Sequence, residues 1–286
     1  MITILIDGIA YGMLLFVLAC GLSVTLGLMN FINLAHGAFA MAGGYVAVVV
    51  ANRLGMPFWA ALAAAFLVPA AAGALLDRTL YRFVYARSPL DQVLFTIGLA
   101  FMSVAAVDYA MGSQQVFVQM PDGLRGQFDV GGIGVGRYRL LIVAVCGVVA
   151  VALQYALSAT RFGSRLRAAV DDARTARGLG IRVGAVFALT FAVGSGLAGL
   201  GGALGAEILG LDPQFPLKFM IYFLIVVAVG GTTTVTGPLL ASILLGIGDV
   251  AGKYYVPKLG AFAIYAIMIV VLLWRPHGLF SRSQRR

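Results

Sequence analysis

Apolar residues run along this chain in blocks far longer than the alternation of a half-buried strand or the single stripe of a surface helix requires. Residues 8–52 form one window of 45 positions with no formal charge. A membrane-crossing helix needs only about 20 apolar residues, so this window is too long for one crossing. The polar stretch Met29-Asn30-Phe31-Ile32-Asn33-Leu34-Ala35-His36-Gly37 cuts it into two spans. Further spans are predicted at about 56–77, 91–112, 138–158 and 184–207. A second charge-free window, Phe219 to Gly248, is cut by Gly230-Gly231-Thr232-Thr233-Thr234-Val235-Thr236-Gly237-Pro238, and a last span covers about 259–274. The pattern therefore predicts an all-α polytopic membrane protein, a single transmembrane domain over 1–286, with eight or nine hydrophobic helices including broken or re-entrant segments.

Composition supports that class. Hydrophobic residues make up 61% of the 286 and charged residues 11%, far from the roughly 25% charged of a soluble domain. The 37 glycines predict close helix packing. The net charge of +9 would suggest nucleic acid only if the basic residues shared a soluble face, and most of the chain has none. Alternating the spans instead puts thirteen basic residues on one side, at 78–87, 161–182 and 275–286, and seven on the other. Under the positive-inside rule the thirteen are cytoplasmic, so the charge is a topology signal. On that assignment 113–137 is the main outer loop, without helical period, and 159–183 is a cytoplasmic loop. The N-terminus has no basic stretch or small-residue exit of a cleaved signal.

Several patterns carry less than they spell. Gly194-Ser195-Gly196-Leu197-Ala198-Gly199 matches a dinucleotide fingerprint literally, but it sits inside an apolar span and reads as a small-residue packing seam. Gly248 to Lys253 lacks the spacing and the following Ser or Thr of a phosphate-binding loop. Cys20 and Cys146 lie in apolar runs, and His36 and His277 are far apart in sequence, so neither a metal site nor a catalytic pair is expected.

The densest polar segment is Thr160 to Arg182. Ser164 is a candidate N-cap, Leu166, Ala169, Val170 and Ala173 share one helical face, Arg167 and Asp171 are spaced to pair, and Gly178 can stop the helix. This predicts a short amphipathic helix of about 14 residues on the membrane face, either a topogenic loop or a docking element for a cytoplasmic protein. The segment resembles the coupling loop of ABC-importer permeases of the branched-chain amino acid uptake family, LivH-type, through Gly163, Arg167, Ala168, Asp171, Ala176, Gly180 and Ile181, followed by Leu189-Thr190-Phe191. Asn33-Leu34-Ala35-His36-Gly37 with Gly43-Gly44-Tyr45, the Gly230–Pro238 turn and Arg275-Pro276-His277-Gly278-Leu279-Phe280 extend the likeness over essentially the whole chain. The turn is more Thr-rich than the family's usual version, and Arg167 stands where the general importer motif has Glu.

The resemblance implies a non-enzymatic permease without cofactor, in the bacterial inner membrane with its C-terminus cytoplasmic. It also implies a second homologous permease, two cytoplasmic ABC ATPases and a periplasmic binding protein, with membrane lipid around them. Coupling to the ATPases would then fall on Arg161, Gly163, Arg165, Arg167, Ala168, Asp171, Arg174, Gly180 and Ile181. Transporters place substrate where helices break, because the freed backbone groups must line a polar cavity or be buried in protein. The candidate path residues are therefore Asn30, Asn33, His36, Gly37, Gly230, Gly231, Thr232, Thr233 and Thr234, with an ordinary cytoplasmic turn as the competing reading of each break. Gly37/Gly237, Arg53/Lys253 and Pro57/Pro257 match at a constant offset of 200, a hint that the breaks are related. Ionisable residues are scarce within the spans, which argues against ion coupling and for a substrate without net charge, such as a zwitterion or an amide. A stand-alone secondary carrier or channel for a small neutral solute is the alternative.

Overall fold

The structure, a computed structural model, describes residues 1–29, 31–130, 133–231, 234–276 and 278–279. It is helical nearly throughout: α1 (Ile2–Met29), α2 (His36–Val48, extended by a π turn over Val49–Arg53), α3 (Phe58–Thr79), α4 (Pro89–Met111), α5 (Arg137–Ala159), α6 (Arg161–Asp171), α7 (Ala173–Gly178), α8 (Val183–Leu209), α9 (Phe215–Gly230), α10 (Thr236–Tyr255) and α11 (Ala263–Trp274). α1, α3, α4, α5 and α8 are long and apolar enough to cross a membrane. With α2, α9, α10 and α11 they make nine hydrophobic segments among the described residues, the shorter ones flanking the two predicted breaks and the C-terminal end.

The loop at 113–137 holds more structure than its sequence announced. Strands β1 (Gln127–Val130) and β2 (Ile133–Gly136) pair antiparallel, Gln127 opposite Gly136 and Val130 opposite Ile133. A Gly-Gly between two short β-prone runs is a hairpin signal, weakened here by the glycines that also occupy β2. Asn52 ties the loop to the end of α2: its amide donates to the Phe117 carbonyl at 2.8 Å and its Oδ1 accepts the Gln119 N–H at 2.9 Å.

The core is built on α8, whose glycines let three helices approach to backbone contact. A Cβ on Gly43 of α2 would lie 2.2 Å from the Gly199 Cα, and one on Gly202 would lie 1.8 Å from the Ala40 carbonyl. On the neighbouring face Pro69 of α3 has no N–H to give the Ala65 carbonyl, and Gly199 approaches that free oxygen, where a Cβ would lie 2.2 Å away. The glycine's own Cα–H points at it instead, a contact of the kind that recurs between tightly packed helices. The Gly194–Gly199 stretch is thus a packing seam, buried along its whole length. A second seam joins α1 to α10: a Cβ on Gly8 would lie 2.6 Å from the Ile247 Cα, and one on Gly246 would lie 2.5 Å from the Gly12 Cα. Cys20 and Cys146 are both free and buried.

These contacts sort the connections between helices to two ends of the bundle. One end carries the hairpin, the Asp7–Arg139 pair and the bridge between Val116 and Leu211. The other carries both breaks, the 160–182 segment and Leu279, whose N–H reaches the Val229 carbonyl at 2.8 Å.

Candidate functional site

The first break is folded into the bundle. α1 ends at Met29, and from Phe31 the chain runs without helix to a turn at Leu34-Ala35, with Phe31, Asn33 and Ala35 buried, so that His36, the first residue of α2, reaches the middle of α1. There His36 Nε2 lies 2.9 Å from the Leu18 carbonyl. A carbonyl only accepts, so Nε2 carries the proton and is the donor. Two backbone donors of this segment are met by side chains of α4, which starts on a Ser88 cap and Pro89: Ile32 N–H donates to Gln92 Oε1 at 3.2 Å and Leu34 N–H to Thr96 Oγ1 at 3.1 Å. Asn33 Oδ1 accepts from Ala35 N–H at 3.1 Å and from the Tyr81 hydroxyl at 3.4 Å, while its amide nitrogen is buried without a partner among the described residues. Phe31 packs edge-on against Tyr81 and Tyr85 at 5.3 and 4.9 Å, and Gly37 meets Pro216 of α9, where a Cβ would lie 2.9 Å from its Cα. Asn30 lies outside the described residues.

The second break is described up to Gly231 and again from Thr234. α9 ends at Gly230, Gly231 adopts φ +82, and Thr234 Oγ1 accepts the Gly237 N–H at 3.2 Å. A Cβ on Gly230 would lie 2.5 Å from Pro238, so the two helices meet almost end to end. Thr234 and Thr236 are exposed, and Thr232 and Thr233 lie outside the described residues.

The polar segment differs from the predicted single helix of about 14 residues. It is two short helices, α6 and α7, broken at Asp172, which is extended (φ −150, ψ 95) and caps α7 by accepting from Arg174 and Thr175 N–H at 2.9 and 3.0 Å. The Thr175 hydroxyl also donates to this carboxylate, and these bonds hold the Asp172 carboxyl below its ordinary range. The N-cap of α6 is Thr160, not Ser164, whose hydroxyl instead donates to the Arg161 carbonyl. The reason is the abrupt corner after α5: Gly163 packs onto the Leu157 carbonyl, where a Cβ would lie 2.1 Å away, so the helix must restart at Arg161.

Arg167 and Asp171 form no ion pair among the described residues. Arg167 donates to the Leu157 carbonyl at 2.5 Å, satisfying an orphan acceptor in the last turn of α5 with a cation suited to that helix end. Arg161, Arg165, Asp171 and Arg174 face outward, Ala168 is half-buried, and Leu166, Ala169 and Ala176 pack inward with Val183 and Ile181 nearby. Arg165, Gly180 and Ile181 come together with Phe162, Leu179 and Leu189 on a cleft of about 770 Å³, the turn into it made by Gly180 at φ +82.

A third polar region went unnoticed in sequence. Asp7 of α1 pairs with Arg139 of α5, and Asp249 of α10 pairs with Lys253 one turn on, around a cavity of about 400 Å³ at the hairpin end. The spacing of Asp249 and Lys253 was a legible signal; the partnership of Asp7 and Arg139, 132 residues apart, was not.

Nine apolar segments among the described residues, with interrupted helices and a basic amphipathic elbow at one end, make a multi-pass membrane protein. The chain belongs to the family described as branched-chain amino acid transport system / permease component, whose model matches residues 4–272. It is 27% identical to the high-affinity branched-chain amino acid transport system permease protein BraD of Pseudomonas aeruginosa, over 98% of this chain and 95% of that protein. It is 26% identical to LivH of Salmonella typhimurium over 97% and 94%, and 25% identical to LivM of Escherichia coli over 95% of this chain and 69% of that one. No solved structure matches the chain.

Proposed function

We propose that this permease forms half of the translocation path of an ABC importer in the bacterial inner membrane, with its C-terminus cytoplasmic, taking up branched-chain or other hydrophobic amino acids or a related small neutral or amide substrate. A second homologous permease completes the path, two cytoplasmic ATPases supply the energy and a periplasmic binding protein delivers the substrate. The observation that carries this reading is the elbow of α6 and α7. It presents Arg165 and Arg174 outward, with Arg165 and Arg182 on a cleft otherwise walled by apolar residues and glycine, on a corner locked to α5 by Gly163 and Arg167, so a push on the elbow is passed to a membrane helix. The relatives named LivH and LivM are two permease proteins to which this one chain is similar, which supports pairing with a homologue. The apolar outer faces of α4 and α5, with Phe101, Met102, Val148 and Val151 exposed, suit lipid.

In this reading Asn33, His36 and Gly37 lie beside the path at the first break, and Gly230, Gly231 and Thr234 close its inner end. The test is Arg165→Glu with Arg174→Glu, which leaves the Arg167 anchor intact. Membrane insertion stays normal while ATPase co-purification and uptake both fall; unchanged co-purification and uptake would remove the docking assignment.

A further inference from the structure

The cavity at the hairpin end has the make-up of a receptor for a zwitterion. The α1 and α10 seam of Gly8, Gly12 and Gly246 brings the two helices to backbone contact, and that contact sets Asp7 and Tyr11 on one wall against Asp249 and Lys253 on another. Arg139 and Tyr222 close the sides. Two carboxylates and two cations sum to no net charge, so a singly charged solute would leave an excess inside while a dipolar one would not. The volume of about 400 Å³ compares with roughly 30 Å³ for a water molecule in the liquid, enough for a small organic solute.

The charges are not all satisfied. Asp249 is 1% exposed; its Oδ2 takes the Lys253 ammonium at 2.5 Å, whereas its Oδ1 has no hydrogen-bond partner among the described residues. A buried carboxylate oxygen without a donor is costly, and the cavity that Asp249 lines is where a donor reaches it once the side chains covering Oδ1 move aside. Lys253 and Arg139 remain about half exposed on the same cavity and have N–H groups to spare for a carboxylate.

We infer that this cavity binds an α-amino acid at the hairpin end of the permease, its ammonium on Asp249 Oδ1 and its carboxylate on Lys253 or Arg139, as the first station after release from the binding protein. The inference rests on the uptake reading above. It places recognition of the backbone zwitterion at the mouth of the path, separate from the buried first break.

The experiment uses the assembled transporter carrying Val250→Cys, a half-buried position on the cavity wall, with Cys20 and Cys146 buried and so slow to react. Modification by methyl methanethiosulfonate is timed, without binding protein, in the presence of leucine, of 4-methylpentanoate, which lacks the ammonium, or of 3-methylbutylamine, which lacks the carboxylate. At leucine tenfold above its half-protecting concentration the rate drops by about tenfold, as simple occupancy requires, and neither analogue protects at that level. Adding Asp249→Asn abolishes protection; Ile208→Cys serves as a second reporter if that double variant does not fold. A leucine-independent rate in a complex that transports leucine would overturn the inference, and so would equal protection by all three compounds. Protection by leucine in a complex that does not take leucine up would instead uphold the site and overturn the uptake reading.

Discussion

The two helix breaks look alike in sequence and differ in structure. Both interrupt a charge-free window with a few polar residues around glycine. The first is held from outside itself, by Gln92 and Thr96 of α4 and by Tyr81, and buries the residues that do the holding. The second is held by Thr234 capping Gly237 and by Leu279, whose N–H reaches the Val229 carbonyl, around a glycine at φ +82, with Thr234 and Thr236 exposed. The difference teaches that a polar interruption becomes part of the interior only when another helix supplies donors and acceptors for the backbone it frees. The nearness of the Gly37 and Gly237 motifs at a fixed offset therefore does not make the two breaks equivalent.

The sharpest way to break this comparison is to remove the external partners of the first. Gln92→Leu with Thr96→Val leaves the Ile32 and Leu34 N–H groups buried without acceptors, at about 1–3 kcal/mol each. Thermal unfolding in detergent should shift down strongly, and uptake should be lost. Asn33→Leu comes next: it strips the acceptor of Ala35 N–H and of the Tyr81 hydroxyl, and about 1–3 kcal/mol of stability should go with it, together with a slower uptake at normal membrane levels. At the second break Thr234→Val removes one exposed cap, and a loss of about 0.5–1 kcal/mol with little change in uptake is expected. A larger loss there than at Asn33 would reverse the ranking of the two breaks.

The smallest effect concerns Asp172. Its carboxyl is held below the ordinary range in the folded elbow, so the stability it lends is complete above the unfolded value near 3.9 and fades as pH falls through the lower folded value. Amide exchange of Arg174 and Thr175 should thus keep its protection down to about pH 4 and lose it only in stronger acid. Asp172→Ala should show the unprotected behaviour at neutral pH.

What could be read in the sequence follows from how far apart the deciding residues lie. Charge-free length predicts the long spans, because burial in lipid acts on each segment alone; α8 was expected at 184–207 and runs Val183–Leu209. The glycine seam was equally plain, since small residues at close spacing have few other uses in a membrane helix. The 160–182 segment was drawn as one helix and is two, because Asp172 reads as a helix-surface acid until its side chain is seen to cap the next turn. Arg167 was assigned to Asp171 by spacing, yet a carbonyl left over at the end of α5 attracts it more, and only the corner at Gly163 brings that carbonyl near. The support of the first break from Gln92 lay 60 residues away from Ile32 and carried no local signature.

The central claim is that the energy for transport enters through other chains. It is tested most directly by leucine uptake in proteoliposomes containing this permease, the homologous permease, both ATPases and the binding protein. Uptake against a gradient that requires ATP inside the ATPase-accessible compartment, and that stops when the ATPases are left out, is the predicted result. Concentrative uptake by the permeases without the ATPases, or uptake that follows an imposed ion gradient, would contradict it.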